Sequence, residues 1–315
     1  MKLVVVIVNY KTAEMTLESV DALLPELAPY PDARVTIVDN DSQDGSFDKM
    51  KAGVVERGIG DRVKVMASER NGGFAYGVNW GARDALESDE PPDYIYLLNS
   101  DAFTDEGSVK ALVQLMDGHP QAGIAVSYIH GVAGTPHQTA FRFPSVFSEF
   151  EKTIGIGLVS KALEPWIVAL PMPAETLEVD WLAGASMLIR REVFERIGYF
   201  DDTYFLYFEE TDFCRRAKLA GFPTYYGVES SVAHVGSAST GLKDQSRPTP
   251  PYWFASRRHY FLKNHGRPYL WTSNAVYVTG MSLRKLRAKL TRQPEKVPAF
   301  EGPNHLRDFI RHLRP

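Results

Sequence analysis

Three hydrophobic runs in this sequence stop on acids. Val35-Thr36-Ile37-Val38 leads to Asp39-Asn40-Asp41-Ser42, and Tyr94-Ile95-Tyr96-Leu97-Leu98 leads to Asn99-Ser100-Asp101. Phe205-Leu206-Tyr207-Phe208 leads to Glu209-Glu210-Thr211-Asp212. Ligands of open α/β sheets bind beyond the carboxyl ends of strands, so an acid there can hold a cation or a sugar hydroxyl. Asp39 in such a place can accept the ring N–H of a uracil or thymine, or bond a ribose hydroxyl. Turn chemistry is the rival account, since Asp, Asn, Ser and Gly fill turns anyway. Asp101 has its own rival: a loop place ahead of a helix over 105–117, capped by Thr104 with Glu106 and Gly107. The third group of acids reads as a helix start, where the helix dipole favours carboxylates and lowers their proton affinity. A general base among them needs a dry aromatic setting, which Phe205, Tyr207 and Phe208 can supply.

Two further places carry chemistry. Glu69-Arg70-Asn71-Gly72-Gly73-Phe74-Ala75-Tyr76-Gly77-Val78-Asn79 has glycines for a tight turn and close backbone approach to a ligand, and Arg70 can offset a diphosphate. It lacks the Gly-Lys-Ser/Thr of a Walker loop and the Gly-x-Gly-x-x-Gly of a dinucleotide turn. His234, in Val232-Ala233-His234-Val235-Gly236-Ser237, follows a strand and is either structural or a metal ligand.

The elements that must position these groups alternate. Leu3 to Val8 reads as a central strand buried on both faces and ends at Asn9. Thr12 can cap a helix with Met15, Val20, Leu23 and Leu24 on one face, broken by Pro25. Val35–Val38 and Lys64–Met66 supply further strands, and a helix to about Glu87 carries Gly77 and Gly81 for close packing. Pro91-Pro92 introduces the Tyr94–Asp101 strand; a strand near Gly123–Ser127 comes next, and 128–178 is irregular. Then come a Trp181 loop, a Gly184-Ala185 turn, a strand to Arg190, a helix Arg191 to Ile197 closed by Gly198, a helix ended by Gly221, and strand Thr224–Gly227.

Composition bounds the class. The 315 residues carry a net charge of −4, 44% hydrophobic and 23% charged residues, which suits one large or two modest α/β domains and argues against a nucleic-acid partner. The single cysteine, Cys214, excludes an intramolecular disulfide and a Cys-rich zinc site, and fits a reducing compartment. MKLVVVIVNY has too short an apolar run for a secretory leader, and no window approaches a membrane span. The tail changes character: Tyr252 to His265 mixes aromatics with bases. Ser282 to Arg292 sets Arg284, Lys285, Arg287, Lys289 and Arg292 around Leu283, Leu286 and Leu290. That pattern suits an anionic membrane surface, or equally a solvated helix face.

Taken in order, the motifs resemble the inverting family 2 glycosyltransferases of GT-A fold, in their rhamnosyltransferase-like branch. Val38-Asp39-Asn40-Asp41-Ser42 with Asp44-Gly45-Ser46 is similar to the family's nucleotide-binding segment. Asn71-Gly72-Gly73-Phe74-Ala75-Tyr76-Gly77-Val78-Asn79 resembles its Asn-x-Gly-Phe-Ala-x-Gly-x-Asn element. Leu97-Leu98-Asn99-Ser100-Asp101 stands where the family has Asp-x-Asp, and Trp181 to Gly221 resembles its acceptor and catalytic-base segment. The resemblance covers roughly residues 1–265. It implies a Rossmann-like α/β domain with a mostly parallel sheet over 1–265 (a donor half, 1–127, and an acceptor half, 128–265) and a basic extension over 266–315. It implies nucleotide contacts from Asn9, Asp39, Asp41, Arg70, Asn71, Gly73 and Asn99, and a divalent metal, Mn²⁺ or Mg²⁺, on Asp101 and His234. Trp181 and Gly184 would face acceptor and sugar, and Glu210 would be the catalytic base, with Glu209 and Asp212 as alternatives. Asn99 departs from the first Asp of Asp-x-Asp, and Glu210 from the usual Asp. The implied donor is dTDP-rhamnose and the acceptor a polyprenyl-diphosphate-linked or growing glycan, at the cytoplasmic side of the plasma membrane. A nucleotidyltransferase and a non-catalytic sugar-nucleotide-binding subunit are the rival functions. The first would want a glycine- and lysine-bearing loop after the first strand, which Asn9-Tyr10-Lys11-Thr12 does not provide.

Overall fold

The computed structural model describes residues 1–236 and 249–291. Its contacts group the chain into two compact units, Met1–Phe141 with Pro171–Thr240, and Arg142–Leu170 with Gly241–Pro315. The expected boundary at residue 265 falls inside the second unit.

In the first unit, strands and helices alternate as β1 (Leu3–Asn9), α1 (Ala13–Glu26), β2 (Arg34–Asp39), α2 (Ser46–Glu56), β3 (Val63–Ala67), α3 (Phe74–Leu86) and β4 (Tyr94–Asn99). There follow β5 (Ala102–Thr104), α4 (Ser108–Gly118), β6 (Ile124–His130) and β7 (Ala140–Phe141). The second unit supplies α5 (Val146–Ile154) and α6 (Gly157–Ala162) before the chain returns as β8 (Leu177–Val179), β9 (Trp181–Leu182), β10 (Ser186–Arg190), α7 (Arg191–Ile197), α8 (Glu209–Leu219) and β11 (Thr224–His234). Helices α9 (Pro251–His265) and α10 (Arg267–Thr291) complete the described chain.

The central sheet runs β3-β2-β1-β4-β10-β6-β11-β5, with β8 also on β11. It is a mixed sheet, parallel through β3-β2-β1-β4, with β10 inserted antiparallel between β4 and β6. Leu3, Val5 and Ile7 face a core shared with Leu17, Val20 and Leu23 of α1 and Leu112 and Met116 of α4. Each such fully buried side chain contributes about 1.5–3 kcal/mol. The opposite face packs on α3 so closely that a Cβ on Gly77 or Gly81 would meet Val8 at 2.6 Å or Val6 at 2.7 Å. Both glycines therefore set the helix–sheet distance.

Strand register gathers the polar strand ends. Asn9 pairs with Asp39 and Val8 with Asn99, so the polar ends of β1, β2 and β4 lie level at one sheet edge. Ser186 pairs with Leu98, which brings the Gly184-Ala185 turn to the same edge from the opposite chain direction.

Several local expectations shift. Helix α2 has no counterpart in the sequence reading; its residues Ser46–Glu56 carry few large apolar groups. After Asp101 the chain makes β5, not a helix start, because Ala102 to Thr104 pairs antiparallel with Val232 to His234. Thr104 donates its hydroxyl to the Ala22 carbonyl, and α4 starts after Gly107 (φ 80°), whose amide and that of Val109 are taken by the Glu26 carboxylate. Thr12 does stand at the N-cap of α1, but its hydroxyl is turned to Asn9 Oδ1 and makes no cap bond. Pro25 lies inside α1, which closes one residue later. The irregular 128–178 stretch holds α5 and α6, and Thr224 to His234 is one strand with a register shift between Gly227 and Ser231. Ser237 and Arg292 lie outside the described residues.

The second unit is a helical cluster. Ser145 and Ser148 form a capping box at the start of α5. Arg257 of α9 is 2% exposed and donates to Glu149 of α5 and Asn274 of α10. Gly280 lets α10 close on α5, since a Cβ there would lie 2.1 Å from Thr153 Oγ1.

Candidate active site

Asp39, at the end of β2, is 4% exposed. Its Oδ1 accepts from Asn9 Nδ2 (2.7 Å) and Ser42 Oγ (2.6 Å), and its Oδ2 from the Ser42 amide (3.2 Å). The carboxylate is thus fixed by local donors, with a lone pair on Oδ2 left for an external N–H. Asn9 Oδ1 in turn takes the Thr12 amide and the hydroxyls of Thr12 and Thr16, and Thr12 reaches Ser100 Oγ at 3.3 Å. Asp41 lies apart: it holds a left-handed φ of 55°, and its carboxylate accepts from Gln43.

The glycine turn before α3 has a function inside the chain. Asn40, 3% exposed, donates to Asn71 Oδ1 and the Gly73 carbonyl and accepts from Ser68. Gly73 has φ 89°, and a Cβ there would lie 1.8 Å from the Phe205 carbonyl oxygen; Phe74 donates its amide to that same carbonyl. The closest approach to Gly73 is therefore the backbone ahead of the acidic helix. Asn79 repeats the tie farther along α3, donating to the Phe200 carbonyl (2.8 Å) and accepting from its amide (3.0 Å). Arg70 is exposed, with its guanidinium over the Tyr76 ring at 4.7 Å.

Asp101 is 8% exposed, and its Oδ1 lies in hydrogen-bond contact with His234 Nε2 at 3.0 Å, across 133 residues of sequence. The β5–β11 pairing makes this contact by setting His234 opposite Ala102. Asn99 Nδ2 lies 3.5 Å from the same ring nitrogen, and its buried Oδ1 has no partner.

The three acids of the third group separate sharply. Asp212 is fully buried and bound by Arg216 (2.8 Å), whose guanidinium also donates to the carbonyls of Ile197 and Tyr199. It clamps α8 to the preceding loop. Glu209 is 1% exposed with Oε2 unpartnered; burial first, then the neighbouring Glu210 charge, pushes its pKa well up. Glu210 remains partly exposed and accepts the Gly184 amide on Oε1 at 3.2 Å; burial raises its proton affinity too. Tyr207 and Phe208 precede it with φ of 68° and 71°, a left-handed pair costly for non-glycine residues and held by the surrounding packing. Trp181 stacks on Phe141 across the β7–β9 ladder, centroids 4.5 Å apart.

These pieces are joined. Glu210 meets Gly184; Ala185 accepts the Asn99 amide at 3.0 Å; Asn99 adjoins His234, and His234 bonds Asp101. A partly exposed acid able to accept a proton thus shares one sheet edge with an Asp–His pair and an anchored carboxylate. Such a set can bind a nucleotide, hold a cation and take a proton from an incoming hydroxyl. Sequence reasoning did not single out Ser42, Asn40 or Asn79; all three belong to the recognised motifs, but their partners are 3 to 121 residues away.

A family model described as glycosyl transferase family 2 matches residues 4–198. The chain belongs to that family. The N-acetylglucosaminyl-diphospho-decaprenol L-rhamnosyltransferase of Mycobacterium tuberculosis (strain ATCC 25618 / H37Rv) is 30% identical to it over 243 residues, 71% of this chain and 75% of that protein. Rhamnosyltransferase WbbL of Escherichia coli (strain K12) is 28% identical over 160 residues, 49% of this chain and 57% of that one. Among solved structures, GalNAc-T7 with UDP, GalNAc and Mn²⁺ superposes with a TM-score of 0.61 at 14% identity, over 99% of this chain and 57% of that chain. The mannosyltransferase PcManGT from Pyrobaculum calidifontis, in complex with GDP-Man and Mn²⁺, gives 0.52 at 13% identity, over 98% and 85%. At those identities the likeness is one of fold, and the fold is GT-A-like.

The residues of this glycosyltransferase fit a divalent cation. The orphaned, buried Asn99 oxygen beside Asp101 and His234 is a donor set of two oxygens and one imidazole nitrogen. A mixed O/N set suits Mn²⁺ better than Mg²⁺, which prefers oxygen alone. Among the described residues no three His, Cys, Asp or Glu side chains gather to hold a metal. No described helix is long and apolar enough to cross a membrane.

Proposed function

We propose that this glycosyltransferase moves L-rhamnose from dTDP-rhamnose, with inversion, to a hydroxyl of a polyprenyl-diphosphate-linked or growing glycan at the cytoplasmic face of the plasma membrane. The observation that carries the reading is the run of contacts from Glu210 through Gly184-Ala185 and Asn99 to the Asp101–His234 pair. The rhamnosyl and lipid-linked parts draw support from the names of the Mycobacterium and Escherichia relatives. The dTDP part rests on the motif resemblance.

In this proposal Asp39 accepts the thymine N3–H on Oδ2, with Asn9 and Ser42 fixing its orientation. Arg70, Asn71 and Gly73 border the diphosphate, and Trp181 and Gly184 border the sugar and acceptor. Asp101 and His234, with Asn99 beside them, would hold a divalent cation, which when bound offsets the charge of the departing dTDP. Glu210 accepts the proton of the acceptor hydroxyl on the face opposite that leaving group, while the oxygen bonds to the anomeric carbon and the bond to dTDP breaks. Its raised proton affinity makes it a better acceptor than an exposed carboxylate, and its partial exposure admits substrate. Glu209 lacks that opening and Asp212 is occupied by Arg216.

The test is dTDP release from dTDP-rhamnose by purified protein, with Mn²⁺, Mg²⁺ or EDTA, beside Asp101→Ala and Glu210→Gln. Metal-dependent release lost in Asp101→Ala, and donor binding kept but transfer lost in Glu210→Gln, are the expected results. Failure to bind any nucleotide sugar would overturn the proposal.

A further inference from the structure

The second unit concentrates positive charge in a chain that is negative overall. Residues 245–294 contain ten Lys or Arg and no Asp or Glu, while the whole chain carries −4. Within that span α10 uses two separate stripes. Leu270, Ser273, Asn274, Tyr277, Gly280 and Met281 are buried, at the spacing of one helical face. Leu283, Leu286 and Leu290, also at i, i+3, i+7, are 45, 54 and 75% exposed. The second stripe is therefore no part of the packed face. Lys285 and Lys289 have no ion pair among the described residues, and Arg287 is anchored by donating to the Gly155 carbonyl. The helix offers no acid to balance any of them.

We propose that the last three turns of α10 are a docking face for an anionic lipid surface. The leucines enter the headgroup–acyl boundary, and Lys285, Arg287 and Lys289, with Arg284, stay at the phosphate level. This is the pattern of an interfacial helix: exposed leucines flanked by bases, with no described helix long and apolar enough to span. A second copy of the chain suits the face poorly. Pairing two such helices through their leucines would bring like charges together with no acid between them. The face uses no residue of the donor site, so the proposal stands or falls apart from the sugar and acceptor assigned above.

The experiment is co-sedimentation of the full chain with phosphatidylcholine vesicles, alone or with phosphatidylglycerol, at low and high salt. The chain is compared with Leu286→Gln/Leu290→Gln and with Lys285→Gln/Lys289→Gln. Binding to the anionic vesicles, weakened by salt and by the absence of phosphatidylglycerol, is expected. The lysine pair should weaken it about 25-fold, from about fivefold for each basic residue near an anionic surface. The leucine pair should weaken it at least as much, with melting temperature and dTDP-rhamnose binding unchanged because all four side chains lie at the surface. Equal pelleting of wild type and variants would overturn the proposal. So would no pelleting with anionic vesicles, or a dimer seen by sedimentation velocity that the leucine variant abolishes while vesicle binding is absent.

Discussion

Replacing Gly184 by alanine adds one methyl group beside the proposed base. The new Cβ would lie 2.6 Å from Glu210 Oε1, 2.9 Å from its Cγ and 3.2 Å from its Cδ. Ordinary van der Waals contact begins near about 3.5 Å, so the carboxylate must retreat by roughly 1 Å. Gly184 does not use a left-handed backbone, and the obstacle is the end of a flexible side chain. The cost to folding should therefore be small, within about 1 kcal/mol. The cost to transfer should be large, because a displacement of about 1 Å in a positioned catalytic group is worth about a hundredfold in rate. The assay is kcat and KM for rhamnosyl transfer, with dTDP-rhamnose affinity and melting temperature measured on the same protein. The expected outcome is kcat down about a hundredfold, with donor affinity and melting temperature nearly unchanged. Adding Glu210→Asp shortens the side chain by a methylene and should restore part of the loss, a positive coupling in a double-mutant cycle. An unchanged kcat, or a loss shared equally by donor binding and stability, would refute the assignment of Glu210 as base.

Other consequences come from the same geometry. Glu209→Gln should flatten the pH dependence of stability: the folded carboxyl holds its proton more tightly than the unfolded one, so wild-type stability falls as pH rises from the unfolded value of about 4.3 through the raised folded one, by at most about 1.4 kcal/mol per pH unit. Urea unfolding at pH 5 and pH 7 reads this, and identical slopes for variant and wild type would contradict it. The acid limb of the transfer rate should lie above the usual carboxylate range, since Glu210 must be ionised to accept a proton and burial raises its pKa; a limb at or below that range would reassign the base. Gly73→Ala sets a Cβ against backbone at φ 89° and should cost about 3 kcal/mol or more, seen as a lower denaturation midpoint. Arg257→Met should cost about 3–5 kcal/mol by stranding Glu149 in the second unit, and Arg257→Met/Glu149→Leu should recover most of it.

The sequence by itself determined the local pieces. Leu3–Val8 is apolar at every position and so had to be a strand buried on both faces. Gly77 and Gly81, four residues apart on a helix, marked a face pressed against the sheet, as Val8 and Val6 confirm. Motif order was enough to indicate the family and its GT-A fold, because spacing along the chain survives without knowledge of contacts. What tertiary structure decided was which acid sees what. Glu209, Glu210 and Asp212 stand within four residues at one helix start, where sequence assigns them the same dipole and charge. Only packing seals Glu209 and leaves Glu210 open against Gly184, whereas Asp212 meets Arg216 as an i,i+4 pair of the helix itself. The His234–Asp101 contact likewise depends on the β5–β11 register, and Gly73 on a Phe205 carbonyl 132 residues away. Burial and long-range contact are properties of the assembled chain. A helix start or a glycine turn reads the same in sequence whether another segment arrives there or not.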